Sequence, residues 1–266
     1  MKKVSFIICL FLVACHSSSK ITTTADRPNQ SMIFDGKLFT ALYQQQSAEY
    51  KALCLQAYNF AAIRLNEYKA TSTLPKVIIT DIDETVLDNS PFAVHQGLLH
   101  KEFDYNAWFE WTSKAIADTV PGAPAFLKLA ASKGVEIFYI TNRDEKERES
   151  TLRNLSKYNL PNTDNEHLIL KTNGSSKELR RQQVAATHEI VMLVGDNLGD
   201  FSYLFDKKST ADREKNVNFS LNDFGKKFIV IPNPGYGDWE GALLNYNFKL
   251  TAQQKDSVYK AVLKNY

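Results

Sequence analysis

At 266 residues with 44% of them hydrophobic, the chain is long enough for one well-buried domain and a smaller appendage. Its formal charge of +2 comes from basic residues spread along the sequence, which leaves no electrostatic footprint for a nucleic acid polymer. Charged runs such as "EKERES" and "KELRR" mix both signs and read as solvated helix faces.

The first stretch, "MKKVSFIICLFLVACHSSSK", has two lysines, an apolar run too short for a comfortable membrane span, and a Ser-rich end. That order predicts a secretory signal peptide. Leu12-Val13-Ala14-Cys15 resembles the lipobox of bacterial lipoproteins. The resemblance implies removal of residues 1–14, lipidation of Cys15 and anchoring to a membrane by several acyl chains. His16 stands where an inner-membrane retention signal usually carries Asp, which points to the outer membrane, facing the periplasm or the exterior. With Cys9 in the leader and Cys15 lipidated, Cys54 is left alone, so no intrachain disulfide is expected and Cys54 reads as a small buried apolar residue. Ser17 to Gln30 lacks apolar periodicity, and a tether over 15–34 is expected before a domain over 35–266.

Phe39 to Tyr68 carries apolar residues at helical spacing with no Gly or Pro, predicting one long helix or two. Strands and helices then alternate. "KVIITD", "VEIFYIT", "HLIL", "EIVMLVGD" and "KFIVIPN" read as strands, while "APAFLKLAASKG", "EKERESTLRNLSKY" and "SKELRRQQVAA" read as helices. This alternation predicts an α/β fold: a Rossmann-like parallel sheet with helices on both faces. Two stretches break it. Residues 91–120, rich in aromatics, are too long for a βα loop and are expected to form a cap over the site. Asp200 to Phe224 reads as a charged, irregular insertion.

Acids gather where strands end. Asp81 closes the first strand with Asp83 two residues on, Asp196 closes another with Asp200 four later, and "FYITNR" brings Thr141 to the end of a third. A carboxylate cannot follow a strand into the core, so these groups converge on the carboxyl edge of the sheet. Strand-end Asp residues also serve as plain turn formers. Three such motifs in this order fit a hard cation better, one that keeps some waters and takes carboxylates plus phosphate oxygens, such as Mg²⁺.

Asp81-Ile82-Asp83-Glu84-Thr85, Thr141, Lys177 and Gly195-Asp196 through Asp200 resemble the four-motif signature of haloacid dehalogenase-type phosphohydrolases. "QQSAEYKALCLQAYNFA", "DIDETVLDNSP", "VPGAPAFLKLAASKG", "VGDNLGDF" and "FIVIPNPGYGDWEGAL" make the sequence similar to bacterial class C acid phosphatases, outer-membrane lipoproteins described as 5′-nucleotidases. The resemblance implies hydrolysis of small phosphate monoesters with Asp81 as nucleophile and Asp83 as acid and base. It implies Mg²⁺ held by Asp81, the Asp83 carbonyl, Asp196 and, through water, Asp200. Thr141 with backbone amides, Asn142 and Lys177 would meet the phosphate, with Lys171 the competing lysine. Trp108 and Tyr236 would sandwich a nucleobase, a tolerant mode of recognition that extends to nicotinamide mononucleotide. Family precedent also points to a homodimer through the cap and N-terminal helices. The contrasting expectation is a binding lipoprotein that keeps the fold without turnover. Its mark would be loss of Asp81 or Asp83, and both are present.

Overall fold

The computed structural model describes residues 31–266. Two helices come first, α1 (Met32–Gln46) and α2 (Ala48–Glu67), separated at Ser47, whose side chain caps α2. Next come β1 (Lys76–Thr80), β2 (Leu87–Asp88), α3 (Ser90–Leu98), α4 (Tyr105–Ser113), β3 (Asp118–Thr119), α5 (Ala123–Ser132) and β4 (Glu136–Ile140). The chain continues through α6 (Arg148–Lys157), β5 (Leu168–Ile169), α7 (Glu178–Ala185), β6 (Glu189–Gly195), α8 (Thr210–Phe219), β7 (Phe228–Val230), α9 (Asp238–Leu243) and α10 (Ala252–Val262).

Five strands form one parallel sheet in the order β5-β4-β1-β6-β7. The core explains the run of apolar residues in β1. Ile78 joins the cluster under α2 and α5, whereas Val77 and Ile79 join the cluster on the opposite face with Val184 and Phe201. A strand covered on both faces has no side on which to place a polar residue until it ends. The strand order reverses at β1, and the crevice beyond β1 and β6 is where such sheets bind ligands.

Residues 91–120 contain α3, α4 and the strand β3, which pairs antiparallel with β2 beside the sheet edge. α3 packs against α1, with Gly97 so close to Leu38 that a Cβ would come within 2.8 Å of it. Two expected boundaries shift. α1 begins at Met32, inside the expected 15–34 tether, because Ser31 caps it and Asp256 of α10 binds both the Ser31 hydroxyl and the Met32 N–H. The Asp200–Phe224 stretch is not irregular throughout, since Ser209 caps the helix α8 within it. No helix among the described residues is long and apolar enough to cross a membrane.

Candidate active site

Past the end of β1, Asp81 donates its N–H to the Val194 carbonyl at 3.0 Å, carrying the β1–β6 ladder onto the sheet edge. The chain then curls over the fully buried Ile82, whose carbonyl accepts from Val86 and Leu87, and Glu84 takes a left-handed φ of 58°. β6 delivers Asp196. At Gly195 a Cβ would lie 2.4 Å from the Asp200 side chain, so glycine alone leaves room for Asp200 to fold back under the strand end. Asp200 holds that position by accepting from the Asn197 N–H at 2.9 Å.

Asp81, Asp196 and Asp200 thereby bring carboxylate oxygens within 4.8 Å of one another. Lys177, at the N-cap position of α7, places Nζ 2.5 Å from Asp81 and 2.7 Å from Asp200. Burial pushes the Asp81 carboxyl well above its ordinary range; Lys177 opposes this, and the charges of Asp200 and Asp196 add to it. Burial and the Asp200 charge likewise push Asp196 up to about 7, against hydrogen bonds from Asn233 and Thr85 at 2.8 and 2.9 Å. Desolvation acts to lower the Lys177 ammonium, yet Asp200 and Asp81 outweigh it and hold it above the ordinary lysine value. Three crowded carboxylates, Asp200 buried and Asp81 and Asp196 half-buried, against one lysine leave negative charge uncompensated. An all-oxygen donor set of this charge suits a hard divalent cation.

Asp83 belongs to a second network. Arg143 Nε and Nη2 reach its carboxylate at 3.1 and 2.7 Å, Asn89 Nδ2 donates at 2.9 Å, and the Thr141 hydroxyl stands 3.5 Å away. Arg143 is itself buried, bonded to the Thr151 hydroxyl, with its guanidinium 5.8 Å from the Trp108 ring. Arg180 ties the β4 exit to α7, donating to the Thr141 carbonyl at 2.5 Å and to the Asn142 side chain at 2.7 Å.

A cavity of about 940 Å³ opens over these groups, lined by Asp81, Asp83, Asn142, Lys177, Asp196 and Asp200. Trp108 of α4 lines it too, edge-on to Phe92 of α3 at 5.1 Å, as does Tyr236 after β7. Lys171 lines the same cavity, and Lys177 is the lysine on Asp81. The Tyr236 hydroxyl donates to Glu84, which burial and the Asp83 charge push up to about 8 despite that bond and one from Asn89. Cys15 and residues 1–14 lie outside the described residues.

The expected site residues over 81–236 therefore all border one cavity except Thr141, which sits fully buried just behind Asp83. Sequence reasoning assigned no role to Glu84, Asn89, Arg143 or Arg180. Arg143 was visible in "TNR" and Asn89 in "LDN", but nothing local says that those side chains turn inward.

A parallel sheet with a carboxylate triad, a lysine and a separate acid at its switch point defines a haloacid dehalogenase-like hydrolase. Residues 15–239 match the family model of the HAD superfamily, subfamily IIIB (acid phosphatase), and the chain belongs to that family of phosphoric monoester hydrolases. Its fold is similar to the class C acid phosphatase from Bacillus anthracis at 42% identity and a TM-score of 0.84, covering 88% of this chain and 99% of that one. The same enzyme with tungstate bound aligns at 41% identity and a TM-score of 0.83, over 88% and 98% of the two chains. Vegetative storage protein 2 of Arabidopsis thaliana is 27% identical over 167 residues, which make up 59% of this chain and 60% of the length of that relative.

Proposed function

We propose that the chain is a Mg²⁺-dependent acid phosphatase that acts on nucleoside monophosphates, nicotinamide mononucleotide among them, through a phosphorylated Asp81. The observation that carries this reading is the pairing of two carboxylates in different company: Asp81 on Lys177 beside Asp196 and Asp200, and Asp83 on Arg143. Two carboxylates with separate partners suit separate duties, nucleophile and acid. The tungstate complex of the Bacillus anthracis relative supports an oxyanion pocket in this fold.

Asp81, Asp196, Asp200 and the Asp83 carbonyl would hold the metal, and a bound Mg²⁺ would supply positive charge to offset that of the attacking carboxylate and the phosphate. An Asp81 oxygen attacks phosphorus as the ester P–O bond breaks, and the leaving oxygen takes its proton from Asp83. Water then attacks the phosphorus of the acyl phosphate, gives a proton to Asp83, and releases Asp81 and inorganic phosphate. Arg143 and Asn89 hold the Asp83 carboxyl in place for both proton transfers. Lys177 balances Asp81 and the incoming phosphate, while Thr141 and Asn142, braced by Arg180, border the phosphate site.

Trp108 and Tyr236 then face the base. Stacking accepts any base with a π-face, so the expected activity is broad within mononucleotides. We also propose that the protein sits on the outer membrane, held by a lipid on Cys15, as a homodimer whose contacts include the cap and exposed apolar residues of α1 and α2 such as Phe39 and Leu53. Loss of lipid labelling and of membrane sedimentation in Cys15→Ser tests the first of these, and equilibrium sedimentation of the soluble domain the second.

The deciding experiment is phosphate release from 5′-mononucleotides, nicotinamide mononucleotide and glycerol phosphate at pH 5 and 7, with Mg²⁺ or chelator, beside Asp81→Asn. Turnover that needs both Mg²⁺ and Asp81 is expected, together with ³²P retained on acid-quenched protein. Turnover that survives chelator or Asp81→Asn would remove the mechanism. Folded, Mg²⁺-loaded protein that turns over none of these esters would instead favour a ligand-binding lipoprotein on the same fold.

A further inference from the structure

Glu84 directly follows Asp83 in the chain and belongs to neither duty. It is 3% exposed and sits at a left-handed φ of 58°. A non-glycine residue takes that conformation only at a cost. Every partner of its carboxylate belongs to the substrate wall. Oε1 accepts from the Asn89 backbone N–H at 2.9 Å, and Oε2 accepts from the Tyr236 hydroxyl and, at 3.5 Å, from Asn89 Nδ2. Asn89 in turn accepts from the Trp111 indole N–H of the cap at 2.8 Å and donates to Asp83.

Among the described residues, the bond to Glu84 is the one hydrogen bond the Tyr236 side chain makes. It is flanked by Gly235 and Gly237, the latter at a φ of 144° that side chains avoid, and the residue is 42% exposed. The ring is open to the cavity while only its hydroxyl is fixed. An aromatic plate on a glycine-flanked loop has many orientations, and a hydrogen bond to a buried carboxylate selects one.

We propose that Glu84 is a positioning residue for substrate specificity: it fixes the Tyr236 ring at the angle that receives the base, and through Asn89 couples that ring to Trp111 and Asp83. The proposal rests on the base-stacking part of the function proposed above. It implies that Glu84 governs which esters are preferred, separately from phosphate chemistry.

The test measures kcat and KM for adenosine 5′-phosphate and glycerol phosphate in wild type, Glu84→Ala, Glu84→Gln, Tyr236→Phe and Glu84→Ala/Tyr236→Phe. Alongside, ¹⁹F spectra follow fluorotyrosine at position 236. Glu84→Ala is expected to lower the kcat/KM preference for the mononucleotide about tenfold, mainly through KM, and to sharpen the ¹⁹F line as the ring is freed. Glu84→Gln, which retains an acceptor, recovers most of the preference, and the double variant loses no more than either single one. Equal losses on both esters, or an unchanged ¹⁹F line, would overturn the proposal. If Glu84→Ala does not fold, Tyr236→Phe, which removes the same hydrogen bond from the other side, decides it by the ratio alone: loss of the mononucleotide preference supports the proposal and an unchanged ratio overturns it. A wild type with no preference for the mononucleotide would remove the stacking reading, and the ¹⁹F line would still report whether Glu84 holds the ring.

Discussion

Arg143 grips Asp83 with Nε and Nη2 while Nη1 reaches Thr151, so three of its donors serve two elements at once. Its side chain is 1% exposed against 15% for Asp83. Breaking a pair of this kind leaves a buried charge without compensation, which costs about 3–5 kcal/mol. Arg143→Ala should therefore lower the unfolding free energy measured in urea by an amount in that range, and Arg143→Lys should recover little because an ammonium cannot replace a planar fork. Equal stability of all three proteins would show that the pair contributes nothing to the fold. The contrast between Arg143 and Asp81 marks how far single residues were legible. Asp81 announces itself because an apolar strand cannot continue into acids, whereas Arg143 follows a strand end where solvation is the ordinary fate. Only tertiary packing tells the two apart.

The elements that read most clearly are those the core itself requires. "KVIIT", "EIFYI" and "EIVMLVG" are strands because both faces of β1, β4 and β6 are covered, and an apolar run of that length has no other use in an alternating chain. α8 had no such signal: one residue in it is buried, and that residue is Arg213. The start of α1 was misplaced for a different reason. Its N-terminus is set by Asp256, 225 residues away from Ser31, and no local pattern carries that information. A buried carboxylate that accepts from a capping hydroxyl and a first-turn N–H is worth about 1–3 kcal/mol. Asp256→Ala should lose that much in denaturant unfolding and expose the 31–34 segment to protease, while kcat/KM on glycerol phosphate, read at the other end of the fold's logic, checks that folded protein remains. An unchanged midpoint would mean that Ser31 alone caps α1.

Gathering carboxylates at one sheet edge has a consequence for the whole molecule. Burial holds Asp81 well above its ordinary value, Asp196 at about 7 and Glu84 at about 8. The unfolded chain releases these protons near pH 4. Between about pH 4 and about pH 8 the folded protein therefore binds more protons than the unfolded one, and stability falls as pH rises through that window. Below pH 4 both states are protonated and the contribution is fully present. The metal-free protein should thus melt at a lower temperature at pH 8 than at pH 5, the reverse of a fold that rests on salt-bridged carboxylates. Mg²⁺, the cation proposed for this site, would bind the ionised form, so it should raise the melting temperature most at pH 8, by the equivalent of about 2.7 kcal/mol at one hundred times its Kd. At pH 5 protons compete for the same oxygens and the gain should shrink. Melting curves at the two pH values with chelator and with Mg²⁺ decide it. A metal-free protein that is more stable at pH 8 would mean that Lys177 and Arg143 already neutralise the site, leaving the cation no electrostatic work in the fold.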